Sequence, residues 1–338
     1  MAGTVRSRRL RRSDCAGEGI VRRRRGRGFA YLDADGERVE DPETLERIGE
    51  LAIPPAWQEV WVCPDPLGHI QATGTDAAGR KQYLYHSRWQ QRQAERKFET
   101  VRQFAAALPR LRRAVTADLR RRGMPRERAL ACAVRLLDFG FFRVGGETYA
   151  EENESYGLAT VRREHVTVSG GEAVFDFPAK SGRRRVQSIR DPAAIRAIEA
   201  MRRRRGGPDD LLAWREEGEW RDVHSDDVNA YIQARIGEDF SAKDFRTWHG
   251  TVLAAVELAG EPAPSSEAAA KRSIAAAVKR VAEALGNTPA VCRRSYIDPR
   301  VLDRFRDGER IRPAASANSK LSARRRAKIE REVLRLVS

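Results

Sequence analysis

The sequence predicts an α+β protein: a β-rich front followed by a mostly helical back that carries an inserted three-stranded meander. Three observations lead there. Alternating and β-prone runs dominate up to about Tyr85, apolar residues then recur at helical spacing from Arg88 onward, and one stretch, His165–Ile189, breaks the helical period with three short runs separated by glycine turns. At 338 residues the chain is long enough for about two domains on a rule of roughly 150 residues each.

The elements follow in order. Residues 1–28 are rich in Arg and Gly and read as a basic, loosely ordered tail. The run GFAYLDADGERV alternates around Asp35-Gly36 and reads as a hairpin, which makes Asp33-Ala34-Asp35 turn chemistry rather than a metal site. DPETLERIGELA has a helical period, with Asp41 or Thr44 as caps, and the prolines of IPPAW stop it. Strands follow through Trp57, Val60 and Trp61, and again on both sides of the turn in HIQATGTDAAGRKQYLYH. A helix runs from Arg88 to Leu108, where Pro109 interrupts it, and another from Arg126 to Phe142. The meander has turns at Gly170-Gly171 and Lys180-Ser181-Gly182. Helices resume at Pro192–Arg205, at Ser225–Arg235 with Ser225 as N-cap, at Lys243–Ala259 and at Ser266–Leu285, which Gly286 ends. Thr288-Pro289 opens a further helix expected to carry Tyr296, and Lys320–Leu336 has a weak amphipathic period. The expected division is a tail at 1–28, a β-rich domain at 29–90, a helical domain at 91–312 and a basic tail at 313–338.

Composition narrows the function. The net charge is +16, from 64 Lys and Arg against 48 Asp and Glu. Residues 1–28 carry ten Arg against Asp14 and Glu18, and residues 313–338 carry seven cations against Glu330 and Glu332, so the ends hold +13 of the +16. Arg clusters recur in the body at Arg110–Arg113, Arg183–Arg185 and Arg202–Arg205, as suits a polyanion partner, above all nucleic acid. No apolar run reaches the roughly 18 residues of a membrane span, and the N-terminus lacks a secretory signal. The four cysteines are far apart, and no His pair or nucleotide phosphate loop occurs. The expectation is a reduced, cytoplasmic protein with no zinc module, whose partner is nucleic acid.

Four short stretches carry residues fit for chemistry. Phe141-Phe142-Arg143-Val144-Gly145 sets one Arg after an apolar helix. Phe177-Pro178-Ala179-Lys180-Ser181-Gly182 sets a Lys at a hairpin tip, in a chain that uses Arg seven times as often as Lys; Lys can release a proton where Arg cannot. Lys243-Asp244-Phe245-Arg246 puts two cations one turn apart on a helix, and Asn287-Thr288-Pro289 through Tyr296 is a helix start with a tyrosine.

In this order the four stretches resemble the catalytic set of the type IB DNA topoisomerases, most closely the compact poxvirus-like branch found in bacteria. The resemblance spans about residues 20–312. In front, IPPAW with Val60-Trp61 and GRKQYLYH are similar to that family's N-terminal DNA-clamping domain. It implies a nucleoid-associated monomer that closes around double-stranded DNA and uses no cofactor or metal. It also implies that Tyr296 is the nucleophile forming a 3′-phosphotyrosyl link, that Arg143 and Arg246 hold the non-bridging oxygens of the scissile phosphate, and that Lys180 is the general acid for the 5′-oxygen. Asn287 stands where the family often has His; Asn donates a hydrogen bond but cannot shuttle a proton. Arg80, Gln82, Tyr83, Tyr85, Tyr149 and Asn153 fall at DNA-contacting positions. Tyrosine recombinases share the catalytic constellation but not this front domain. A non-enzymatic DNA binder would share the charge and lack the chemistry.

Overall fold

A computed structural model describes residues 9–146, 155–179, 182–312 and 323–338. The chain forms two compact units, residues 1–97 and 98–338, each with its own core. The division falls inside one long helix.

The first unit is built on an antiparallel five-stranded sheet of order β2-β1-β3-β4-β5. Its strands are β1 (Ile20–Arg25), β2 (Gly28–Leu32), β3 (Gln58–Val62), β4 (Ile70–Thr75) and β5 (Lys81–Tyr85). Helix α1 (Pro42–Glu50) covers one face; the Asp41 carboxylate accepts from Thr44 N at 2.8 Å to cap it. Ile48 of α1 meets Ile20, Val60, Val62 and Ala72 in a small core, with Trp57 and Leu84 at its margin.

Two expectations change here. Ile20–Arg25 reads as loose tail in the sequence, yet it is β1, paired with both β2 and β3. Its arginines differ in role, since Arg23, Arg24 and Arg25 are exposed while Arg22 is not. Arg22 is buried, with its guanidinium donating to the Trp57 carbonyl at 2.6 Å and to the Pro54 carbonyl at 3.2 Å, and stacked 4.1 Å over Phe29. Arg chemistry lets a cation serve as a carbonyl clamp in the interior, which composition alone disguises as a solvated tail. The main hairpin therefore turns at Gly26-Arg27. The Asp33–Glu37 turn closes only the Leu32–Arg38 bridge, with the Asp33 carboxylate accepting from Asp35 N and Glu37 N.

The second unit is mostly helical. Helix α2 (Ser87–Asp118) leads into it, followed by α3 (Arg126–Gly140). The meander β6 (Val166–Ser169), β7 (Glu172–Ala179), β8 (Arg183–Ile189) is antiparallel throughout. Then come α4 (Pro192–Arg202), the hairpin β9 (Ala213–Glu216) and β10 (Glu219–Asp222), α5 (Ser225–Ile236), α6 (Ala242–Ala259), α7 (Glu267–Leu285), α8 (Pro289–Ser295), α9 (Pro299–Arg306) and α10 (Ala323–Leu336). Phe104, Leu108, Leu111, Leu136, Leu137, Phe245 and Trp248 lie at the centre of the core. No helix among the described residues is long and apolar enough to cross a membrane.

Here too the sequence reading needs correcting. Pro109 does not interrupt α2, which runs through it for 32 residues. An internal proline costs a helix about 3 kcal/mol, and burial of Leu108, Leu111 and Val115 on both sides of it outweighs that. The N-cap of α5 is His224, not Ser225, with the Asp227 carboxylate accepting from His224 N at 3.0 Å. The β9–β10 hairpin and α9 have no counterpart in the sequence reading. Nor is the described part of 313–338 a tail: α10 buries Ile329, Glu330 and Val333 against the core, and Val337 just after it is buried too. Those positions follow a helical period that the many flanking cations obscure.

Candidate active site

Four of the predicted residues, Arg143, Arg246, Asn287 and Tyr296, meet at one place in the second unit. Arg246 lies on α6, buried at 4 % exposure, although Lys243 one turn earlier is exposed. Its Nη1 donates to the Phe141 carbonyl at 2.5 Å and its Nη2 to the Leu285 carbonyl at 2.7 Å. Arg246 therefore bridges the ends of α3 and α7, whose terminal carbonyls lack helical partners and suit a cation. The guanidinium carbon sits 5.3 Å from the centre of the Tyr296 ring.

Arg143 follows α3, which ends at Phe141 in the left-handed region with φ 53°. The Arg143 Nη2 donates to the Gly286 carbonyl at 2.9 Å and to Asn287 Oδ1 at 2.5 Å. The segment is held by Leu158 N and Ala159 N, which donate to the carbonyls of Arg143 and Val144 at 2.8 and 2.7 Å. That pairing demands two glycines: a Cβ on Gly157 would lie 2.2 Å from the Gly145 Cα. Asn287 follows Gly286, the left-handed cap of α7 with φ 64°, so a helix end presents its side chain to Arg143.

Tyr296 is the C-terminal cap of α8, one residue beyond the helix expected to contain it, with its N–H donating to the Cys292 carbonyl at 2.9 Å. Its backbone is pressed against α6. A Cβ on Gly250 would stand 2.4 Å from the Tyr296 carbonyl oxygen, and Thr251 Oγ1 donates to that oxygen at 3.4 Å. Thr251 Oγ1 also accepts from Asp298 N at 3.0 Å, fixing the chain just past the tyrosine.

Lys180 lies outside the described residues, as do Tyr149 and Asn153. The flanks of Lys180 are β7 and β8, whose last cross-strand pair is Ala179–Arg183. Their register brings in a residue that the sequence reading treats only as one of a charge cluster. Arg185 lines a small cavity together with Arg143, Arg246, Tyr156 and Ala179. It donates to the Ala284 carbonyl at 3.0 Å. Only the strand alternation hints at it, by setting Arg185 on one face and Arg184 on the other, where Arg184 pairs with Asp176.

The electrostatics are those of a site short of an anion. Burial, and then the charge on Arg143, lowers the pKa of Arg246 to about 10, with Tyr296 working the other way. Burial and Arg143 lower that of Arg185 as well. Arg246 Nε and Asn287 Nδ2 are buried donors without a hydrogen-bond partner among the described residues. Buried unsatisfied donors cost roughly 1–3 kcal/mol each, which an oxyanion would recover. Among the described residues no three His, Cys, Asp or Glu side chains gather as metal ligands would.

The remaining candidates lie on the first unit. Tyr83 and Tyr85 are exposed on β5, an edge strand, with rings stacked at 6.1 Å. Asp76 organises the adjoining turn by accepting from Arg80 and from Gln82 Nε2, the latter at 2.8 Å.

The family profile described as eukaryotic DNA topoisomerase I, catalytic core, matches residues 86–320, and that of the bacterial DNA topoisomerase IB N-terminal domain matches residues 28–76. DNA topoisomerase 1B of Acanthamoeba polyphaga mimivirus is 34 % identical over 298 residues, covering 86 % of this chain and 88 % of that protein. DNA topoisomerase 1B of Vaccinia virus (strain Copenhagen) is 23 % identical over 282 residues, covering 79 % and 84 %. DNA topoisomerase 1 of Schizosaccharomyces pombe is 27 % identical over 169 residues, 49 % of this chain but 20 % of that one.

Proposed function

Because the chain belongs to the type IB DNA topoisomerase family, we propose that it relaxes supercoiled DNA by breaking and resealing one strand through a 3′-phosphotyrosyl intermediate, as a monomer acting on the DNA of the cytoplasm. The observation that carries this reading is the convergence of Arg143, Arg246 and Asn287 next to a tyrosine, with buried N–H donors left for an anion.

The chemistry follows from those groups. The Tyr296 hydroxyl gives up its proton to solvent as its oxygen attacks the scissile phosphorus, the P–O5′ bond breaks, and the phosphate stays on the DNA 3′ oxygen, now esterified to tyrosine. The phosphorane gains negative charge on its non-bridging oxygens. Arg143 and Arg246 supply the opposing charge, Arg185 adds to it, and Asn287 Nδ2 offers a neutral donor. Because the Arg246 guanidinium is already bound to two carbonyls, it need not reorganise when that charge develops.

The departing 5′-oxygen needs a proton. Lys180 is the residue assigned to supply it, on its position between β7 and β8 and on its type, since an ammonium gives up a proton far more readily than a guanidinium. The 5′ end then turns about the intact strand and releases torsion. Attack of the 5′-hydroxyl on the phosphotyrosine restores the backbone. The energy of the phosphodiester is held in the covalent link, so neither ATP nor a metal ion is called for. Stacked Tyr83 and Tyr85, with Arg80 and Gln82 beside them, are assigned to contact the duplex.

The test is relaxation of a supercoiled plasmid in EDTA without ATP, followed by denaturing capture of the protein on a 3′ DNA end. Relaxed topoisomers and a 3′ adduct are expected. Salt-dependent DNA binding with no adduct would instead identify a binding protein, and relaxation confined to particular sites with strand exchange would identify a recombinase.

A further inference from the structure

The C-terminal helix contributes a buried charge cluster that no step above uses. Arg112 of α2 donates through Nε and Nη2 to the two Asp138 carboxylate oxygens, both at 2.9 Å, and through Nη1 and Nη2 to Glu330 of α10 at 2.5 and 2.8 Å. Arg326, also on α10, donates to Glu330 at 3.1 Å, to Asp138 Oδ1 at 2.6 Å and to the Asp138 backbone carbonyl at 2.7 Å. Its Nη2 lies 3.0 Å from His249 Nε2. Asp138, His249 and Glu330 are all buried.

The position of this cluster matters more than its stability. Asp138 is in the last turn of α3, where carbonyls have no helical partner, so Arg326 acts as a cationic cap on the helix that leads into Arg143. His249 stands three residues after Arg246 on α6, and its ring meets the Phe141 ring edge-on at 5.0 Å. Phe141 is a non-glycine residue at φ 53°, a conformation that costs about 1–2 kcal/mol and persists only where its surroundings enforce it. Its carbonyl is the one that receives Arg246. Arg326, His249 and Phe141 therefore form a packed chain from α10 to the phosphate-binding guanidinium.

We propose that Arg326 is a positioning residue for strand cleavage: by capping α3 and bracing His249 against Phe141, it holds the Arg143–Arg246 pair in register for the scissile phosphate. This inference rests on the topoisomerase reading. Lysine cannot replace it, because one ammonium lacks the planar fork that meets Glu330, the Asp138 carbonyl and His249 together.

The experiment measures single-turnover cleavage at saturating duplex, duplex affinity and thermal stability for three proteins: wild type and two variants. Arg326→Lys perturbs the brace. Val333→Ala loosens the same helix through its apolar side and leaves the brace intact. Arg326→Lys should cut the saturated cleavage rate about 10- to 100-fold with affinity nearly unchanged, the scale expected for an ångström-sized displacement of a catalytic group. Val333→Ala should lose at least as much thermal stability and keep its cleavage rate. If Arg326→Lys does not fold, Glu330→Gln, which weakens the hold on Arg326, takes its place with the same expectation. An unchanged rate in the brace variant, or parallel losses in both variants that follow stability, overturns the proposal. Failure of the wild-type protein to form a 3′ adduct would instead strike the underlying reading.

Discussion

Gly250 offers a direct test of whether the backbone at Tyr296 is placed for chemistry. It sits on α6 against the tyrosine, and a methyl group there would stand 2.4 Å from the Tyr296 carbonyl oxygen, 3.0 Å from its Cβ and 3.1 Å from its carbonyl carbon. Ordinary van der Waals contact of such a carbon begins near 3.4 Å, so the Gly250→Ala chain must open that gap by about 1 Å. Neither side yields easily. Gly250 is internal to an 18-residue helix, and Asp298 N bonded to Thr251 Oγ1 anchors the segment after the tyrosine. Two contributions to stability oppose each other: alanine gains about 1 kcal/mol over glycine in a helix, while overpacking costs about 1–3 kcal/mol, so the net loss is at most about 2 kcal/mol. The effect on chemistry is larger, because a displacement of about 1 Å of a reacting group costs roughly 10²-fold. Single-turnover cleavage at saturating duplex should therefore fall by about two orders of magnitude while duplex affinity and cooperative unfolding persist. A cleavage rate within a few-fold of wild type in a folded Gly250→Ala protein would refute the claim that packing against α6 sets the nucleophile.

Other perturbations test separate parts of the reading. Tyr296→Phe should retain duplex binding and lose both adduct and relaxation, as gel capture and plasmid assays would report; substantial relaxation would remove Tyr296 from its role. Lys180→Ala should slow cleavage by roughly 10²–10⁴-fold and recover on a substrate whose bridging 5′-oxygen is sulfur, which leaves without a proton; Arg143→Ala should recover less, and equal rescue of both would make Lys180 a phosphate clamp. Burial, then Asp222, raises Asp210 from its ordinary 3.8 to about 6, so the folded state resists ionisation and stability falls as pH rises between about 4 and 6. Asp210→Asn should remove that loss, raising the pH 7 unfolding free energy by about 1–2 kcal/mol and changing it little near pH 4; equal effects at both pH values would contradict the assignment. Replacing Arg324, Lys328, Arg331 and Arg335, all exposed on α10, by Gln should flatten the dependence of log affinity on log salt by about 0.9 for each phosphate no longer neutralised and leave cleavage of bound duplex unaltered; an unchanged slope would deny α10 a phosphate-binding role.

Much of the candidate site is legible in the sequence because its chemistry depends on residue type and local spacing. Gly286, Thr288 and Pro289 announce the end of one helix and the start of the next, and Asn287 and Tyr296 are located by them. The meander is visible because β-period and glycine turns interrupt a helical stretch. Arg143 and Arg246 are distinguishable from 54 other arginines only through the resemblance of their flanking residues to a family. What sets them apart in the fold is their meeting at the ends of α3 and α7, with Arg246 buried beside Tyr296, and that depends on packing partners far along the chain.

Residues whose role depends on a distant partner read differently in sequence and structure. Arg22 resembles part of a loose basic tail, because the carbonyls of Pro54 and Trp57 that hold it are more than thirty residues away. Pro109 resembles a helix end, because local backbone cost can be read from sequence and the compensating burial of Leu108 and Leu111 cannot. Arg185 is one of three consecutive cations until the strand register turns it toward Arg143. Arg326 and Glu330 are two charges in a basic tail; their 188-residue and 218-residue links to Asp138 and Arg112 join α10 to α3 and α2. By itself the sequence determined the type of most elements and which side chains have the chemistry to react, since these follow from backbone propensity and functional groups within a few residues. The tertiary structure alone decided which of the many cations are buried and which guanidinium faces which carbonyl, because desolvation and hydrogen-bond geometry are properties of segments that only folding brings together.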